Sequence, residues 1–214
     1  GTSLSDTVKC SQQAFSKARS GISHCIFKEC FERMLDFLCS RESLDFHARF
    51  MGVWGRQISA IDESKIPLPN RKALLEKYGS SGRGSSSPTA IASVAFDVLN
   101  DRVLDAQLEP ISIDERTLAI RHMENIKSKA RTNLLYTMFV FDRGYASKKL
   151  ISFIEDTIHA RYLFRLRAKF NTDIDAVPAP SEQNGISDSI LILDGRKIRV
   201  IKFYLPSGIL ETLI

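Results

Sequence analysis

No apolar run in this 214-residue chain is longer than one strand, and charge interrupts each of them, so no segment reads as a membrane span. The opening stretch, GTSLSDTVKC, has neither a starting Met nor an apolar signal core, and it is expected to be a cut point. Cysteine is confined to Cys10, Cys25, Cys30 and Cys39, with no CxxC and no histidine at zinc-finger spacing behind them. These four are expected to be buried, reduced thiols of a cytoplasmic protein. His24, His47, His122 and His159 are scattered without metal-ligand spacing. The glycine-rich stretch GSSGRGSSSP (79–88) lacks the GK[ST] ending of a phosphate loop, and reads as a mobile surface loop.

What is present is a hydrophobic content of 43%, enough for one sizeable core or one core and part of a second. Net charge is +5, unevenly distributed. Between Arg116 and Phe170 twelve Lys/Arg face four Asp/Glu, an excess of 12 − 4 = +8, whereas residues 171–195 carry five acids and no Lys or Arg. A basic block beside an acidic segment fits a surface that faces a polyanion. It equally fits two solvated helix faces, and charge alone leaves both readings open.

Periodicity supplies the elements. QAFSKAR reads as a short helix, and HCIFKECFERMLDFLCS repeats apolar residues every three to four positions as an amphipathic helix should. Phe50, Met51 and Trp54 read as core. RQISAIDESKIPLP alternates as a strand and ends at its prolines. Two strands, 91–99 and 102–109, flank an Asn-Asp turn, and Ser112 with Glu115 forms a capping box before a helix to about Lys129. A strand over 134–141 follows. Ser147 then caps a helix whose apolar face is Leu150, Ile151, Phe153, Ile154 and Ile158. RYLFRLRAKF reads as one further strand, with Arg165, Arg167 and Lys169 along one face. Residues 191–214 read as three strands joined by Asp-Gly and Pro-Ser-Gly turns. The order β, β, β, α, β, α, β predicts an α/β fold with a mixed sheet. Ribonuclease-H-like domains share that order, with an N-terminal helical segment and a C-terminal β-rich insertion flanking the core. The boundaries are expected at 1–55, 56–170 and 171–214.

Within LLYTMFVFDRGYASKKL an apolar strand ends on Asp142, followed at once by Arg143-Gly144-Tyr145. Asp62 lies on the first strand of the series and Asp142 at the end of the fourth. In a ribonuclease-H-like sheet those strands are neighbours, so the two carboxylates would face each other. Like charges that close need a cation between them. Mg²⁺ takes hard oxygen ligands and binds through one or two carboxylates with water and phosphate, and paired ions suit phosphodiester cleavage. Each aspartate read singly is a strand-end cap. Tyr145 reads as a core plug or a base-stacking surface, and Arg143 as a phosphate contact or a carboxylate partner. A phosphatase using Asp142 as nucleophile would want an acid two residues on, where Gly144 stands.

IDESKIPLP, AFDVLNDRVLDAQLEP with DERTLAIRHM, and FVFDRGYASKKL with YLFRLRAKFN together resemble the DDE transposases of the insertion-sequence-four family. The resemblance runs over roughly residues 11–214. It implies that Asp62 and Asp142 are the first and second catalytic acids and hold Mg²⁺ or Mn²⁺, with Arg143, Gly144 and Tyr145 completing the motif around the second. From the residues themselves, Arg143 and Tyr145 are DNA-binding candidates, and the row Arg165, Arg167 and Lys169 reads as a track for a DNA backbone or as a solvated sheet face. The resemblance further implies terminal inverted repeats and target DNA as partners, a homodimer on DNA, and a location in the cytoplasm with the nucleoid. The family's third acid, a glutamate in a Tyr-Arg-Glu-Lys signature, has no counterpart here. Glu211 lacks those neighbours and is not assigned the role, so the chain is expected to be a piece holding two acids of three. The competing expectation is a non-catalytic DNA-binding remnant or regulator.

Overall fold

The computed structural model describes residues 10–38, 55–82, 87–130, 132–181 and 185–214. Phe50, Met51, Trp54, His47, Cys39 and the centre of the 79–88 loop lie outside them. Two helices come first, α1 (Gln12–Ser20) and α2 (His24–Leu38). The Ser11 side chain caps α1 by accepting from the Ala14 amide. In α2 Leu35 is buried, whereas Ile26, Phe27, Met34 and Phe37 are exposed. Cys10, Cys25 and Cys30 are exposed too, which corrects the expectation of buried thiols: their faces of these segments meet no core among the described residues.

Five strands form the main sheet: β1 (Gln57–Pro67), β2 (Thr89–Asp97), β3 (Arg102–Pro110), β4 (Thr137–Phe141) and β5 (Arg161–Phe164). Their spatial order is β3-β2-β1-β4-β5. β2 runs antiparallel to both β1 and β3, and β4 and β5 run parallel to β1. This is the mixed α/β sheet that the element order predicts, with the first and fourth strands adjacent. A helix absent from the sequence reading, α3 (Lys72–Tyr78), fills the β1–β2 connection.

Alternation splits the sheet into two faces. Ile61, Phe139, Phe141 and Phe164 point inward and are buried. Phe141 stacks on Phe164 with ring centroids 4.6 Å apart, and on its other side meets Tyr145 at 5.5 Å. Such pairs contribute about 0.5–1.5 kcal/mol each beyond their burial. This face is covered by α4 (Glu115–Ser128), through Ala119, Met123 and Ile126, and by α5 (Lys148–Phe153), which widens into a π turn over Ile154–Ile158. Leu150, Ile151, Ile154 and Ile158 are the buried stripe, and Phe153 only packs against its edge.

Three details differ from the sequence reading. The N-cap of α4 is Asp114, whose carboxylate accepts from the Arg116 and Thr117 amides, so the Ser112–Glu115 box is displaced by two residues. Leu134–Tyr136 is a 3-10 turn capped by Asn133, not strand. The RYLFRLRAKF strand stops at Phe164: Lys169 sits in a turn at φ 62°, so Arg165, Arg167 and Lys169 do not form one row on a strand face.

The C-terminal part contains a short helix α6 (Thr172–Ala176) and a second sheet, β6 (Ile186–Leu193), β7 (Arg196–Tyr204) and β8 (Leu210–Leu213), in that order. Asp194 and Gly195 both have positive φ at the β6–β7 hairpin, as a two-residue turn requires. The two sheets meet edge to edge. Phe164 and Ile214 exchange backbone hydrogen bonds of 2.8 and 3.0 Å, and the Leu166 amide donates to Thr212 O at 2.8 Å. Ile198, Val200 and Ile214 join the same apolar core as the main sheet.

A polar cluster is sealed inside the α4 side. The Nδ1–H of His122 donates to Asp105 at 2.7 Å, its Nε2 lies 2.9 Å from Ser93 Oγ, and Ser93 donates to the backbone oxygen of Asp62 at 3.3 Å. Burial pushes the Asp105 carboxyl up, but hydrogen bonds from His122, Asn125 and Gln107 outweigh it and hold it below its usual value. His122, Asp105 and Ser93 are all buried, so the arrangement has no access to substrate and is a brace between α4, β3 and β2. We predict that His122→Leu costs about 2–4 kcal/mol, because it strips a buried carboxylate of its strongest partner. The double variant Asp105→Leu/His122→Leu should cost less than that single change. Urea unfolding of the three proteins measures it, and a double variant less stable than His122→Leu contradicts the brace.

Candidate functional site

The outward face of the main sheet carries the site. Parallel pairing sets Ala60 against Val140 and Val140 against Leu163. The ladders end there and at Phe141–Phe164, and their register, continued past these ends, directs Asp62 towards Asp142 and Asp142 towards Arg165. Neighbouring parallel strands are about 4.8 Å apart, so the two aspartates stand side by side on one face. Asp62, Asp142, Arg165, Ala60, Val140, Leu163 and Leu213 line one open cleft of about 370 Å³. Both aspartates are exposed to it.

The second sheet reaches this face from the side. Leu213 bridges Arg165 across the joined edge, and Glu211 lies two residues back on the same face of β8. That diagonal position is within reach of a long side chain. Arg165 donates to Glu211 through Nε at 2.7 Å and through one terminal nitrogen at 2.5 Å, while its other terminal nitrogen lies 3.5 Å from Asp142 Oδ1. Arg143 donates to the same Glu211 carboxylate. The Glu211 side chain is only 3% exposed, whereas those of both arginines are 41% exposed. Hydrogen bonding from Arg165, with the charge of Arg143 beside it, holds the Glu211 carboxyl below its ordinary value against the opposing effect of burial.

Of the residues singled out from sequence, the fold brings together Asp62, Asp142, Arg143 and Arg165. It does not bring Arg167 or Lys169 to them, and Tyr145 stands near the two acids as a buried side chain. Tyr145 is 2% exposed and packed on Phe141, so it offers no surface for base stacking. Burial, with Asp62, Glu63, Glu115 and Asp142 nearby, pushes its hydroxyl far up, so it stays neutral. Arg167 and Lys169 are exposed beyond the end of β5. Gly144 has no positive φ, and its need is space: a Cβ there would come within 2.3 Å of Glu115 Oε1. The turn after Asp142 closes through the Tyr145 amide to Asp142 O at 3.2 Å.

Sequence reasoning set Glu211 aside, and its part in the site had no local signal, because its partners lie 46 and 68 residues away. Glu63, the residue after Asp62, points to the other face. Its carboxyl is pushed up by burial and by Glu115 and Asp62, and one of its oxygens is buried without a partner.

The donor set at the cleft fits a hard divalent cation in one respect. Two adjacent, exposed carboxylates on stiff strands provide the oxygens that Mg²⁺ takes alongside water and phosphate. Among the described residues no group of three or more His, Cys, Asp or Glu is poised around one ion. Glu211 is turned into the arginines and does not supply a third ligand.

Residues 53–203 match the family model of the transposase DDE domain, and the chain belongs to that family. Among solved structures it is similar to piggyBac transposase in its synaptic complex with hairpin DNA, at a TM-score of 0.48 and 11% identity. That match covers 73% of this chain and 32% of the other, so the chain spans about a third of the length of the transposase it matches. No curated protein matches the chain.

The pairing of Glu211 makes a pH prediction. A carboxyl held below its unfolded value adds stability above the ordinary glutamate range near 4.3, and that stability is lost as pH falls through the folded value. The stability difference between the wild type and Glu211→Gln should therefore be full at neutral pH and shrink steadily below about pH 4. Urea unfolding at a series of pH values measures it. A difference that stays constant to pH 2.5 overturns the ion-pair account.

Proposed function

We propose that this chain carries part of the catalytic centre of a DNA transposase of the insertion-sequence-four type, with Asp62 and Asp142 as two of its acids. The observation that carries the reading is the parallel register of β1 and β4, which sets those two carboxylates next to each other over an open cleft. In this reading residues 56–170 are the catalytic core and 171–214 an insertion that supplies Glu211. DNA is the substrate, as transposon ends and target, acted on by a dimer.

Asp62 and Asp142 would hold Mg²⁺ or Mn²⁺, which when bound supplies an activated water and charge stabilisation at the leaving oxygen. The protein's own residues do the rest. Rigid strands fix the carboxylates, and the sealed Ser93–His122–Asp105 brace stiffens the backbone behind Asp62. Arg143 and Arg165 meet the phosphate. Arg165 also offsets the charge of Asp142 when no cation does.

The basic block contributes less than its sequence count suggests. Arg116 is used on the Gly144 carbonyl, Arg121 on Glu109, Lys127 on the Thr157 carbonyl, Lys129 on Glu32 and Lys148 on Asp194. Exposed Lys149, Arg161, Arg167 and Lys169, with Arg143 and Arg165, are left for DNA. We predict weak duplex binding with little sequence preference, its affinity falling steeply with salt as counterions are released. Fluorescence anisotropy across a salt titration measures it, and an affinity that stays flat speaks against the reading.

Two carboxylates place one ion well and a second poorly, so the 214-residue chain alone should not cleave terminal-repeat DNA with Mg²⁺ or Mn²⁺. A chain extended to include a third acid should cleave. Asp62→Asn or Asp142→Asn should then abolish cleavage while preserving the fold, because members of one catalytic unit are strongly non-additive. Strand-cleavage assays of the four proteins decide it. An extended chain that binds DNA and never cuts favours a non-catalytic regulator.

A further inference from the structure

Glu211 has features that a surface ion pair does not. Its carboxylate is almost wholly buried, and both of its partners are arginines reaching it from different parts of the chain. Arg143 follows the second site acid directly, and Arg165 follows the strand beside it. Each arginine remains well exposed after binding Glu211. Arg165 spends its Nε and one terminal nitrogen on Glu211, which leaves the remaining terminal nitrogen at the mouth of the cleft beside Asp142. Arg143 likewise spends one terminal nitrogen on Glu211. The pair is therefore anchored from behind, with donors left over in front.

We propose that Glu211 is a positioning residue that holds Arg143 and Arg165 together as a two-arginine clamp for one phosphodiester of the DNA backbone beside Asp142. The inference rests on the transposase reading and adds the residue that organises its phosphate contacts. Guanidinium groups bind phosphate through paired, planar donors, so their orientation matters as much as their charge. Without Glu211, two flexible arginines stand next to Asp62 and Asp142. The nearest counter-ions would then be those carboxylates, and the arginines would fold onto them and away from substrate. The second sheet acts on the site through this one side chain. Glu211 touches no substrate itself.

The sign of one substitution separates this role from simple charge. Removing a buried negative charge near a polyanion-binding surface should strengthen DNA binding if only net charge counts. If Glu211 sets the clamp, Glu211→Gln should weaken it. The experiment is anisotropy with a fluorescent duplex of arbitrary sequence, in EDTA, over a range of salt concentrations, so that no metal is involved. Expected are an affinity for Glu211→Gln lower by about fivefold and a log–log salt slope shallower by roughly one, as one phosphate contact is lost. Arg143→Gln/Arg165→Gln should show the same loss, and adding Glu211→Gln to that pair should change nothing further. The arginine pair also covers the case in which Glu211→Gln folds poorly, since thermal unfolding of each protein is measured alongside. Equal or tighter binding by folded Glu211→Gln overturns the clamp while leaving the transposase reading intact. So does an arginine double variant that binds as the wild type does. No binding by the wild type at any salt overturns both.

Discussion

Asp62 and Asp142 line one open cleft on the outward face of the main sheet, and the side chains around that cleft are arranged about them. Asp62 lies on β1, and Asp142 follows directly after β4. The charge is answered on the protein's side by Arg165, which touches Asp142 with one nitrogen. That arginine is in turn kept from closing over the pair by Glu211, which takes its other two donors. A buried acid thereby limits how far a neighbouring base can neutralise two exposed acids. The cleft stays open, and its carboxylates remain available to a cation.

The same economy explains the join between the two sheets. β8 adds to the end of β5 through only a few backbone hydrogen bonds, yet that join carries Leu213 and Glu211 onto the acidic face. Burial of Ile198, Val200 and Ile214 in the shared core makes the join stiff enough for a diagonal side-chain contact to be held. Lys202 contributes on the far side. It is buried, and it donates to the carbonyls of Asp175 and Val177 at the end of α6, where a cation suits the helix terminus.

Much of the basic character of the middle of the chain turns out to be structural. Seven of its cations, counting Arg143 and Arg165, are engaged with carboxylates or carbonyls, which is what the alternative of solvated helix faces anticipated for part of them. Exposed pairs of this kind add little stability, with a median near 0–1 kcal/mol, but they fix where cations point. The charges left free are few and lie near β5 and α5.

The sequence by itself marked most of the elements and the places of two aspartates among them. Alternation marked β1 and β4, capping residues marked the helices, and an aspartate ending an apolar strand marked Asp142, because each of these signals is local. It misplaced what depends on distant partners. Arg165, Arg167 and Lys169 looked like one strand face because their spacing alternates, but pairing with β8 leads the chain into a turn at Lys169. Gly144 looked like a turn residue, whereas the Glu115 carboxylate packed against it sets its requirement. Tyr145 was open between core and surface until Phe141 and the covering helices enclosed it. Only the tertiary structure decided the role of Glu211. Its meaning comes from two arginines far away in the chain, and nothing in ILETLI encodes which side chains the sheet join will bring to it.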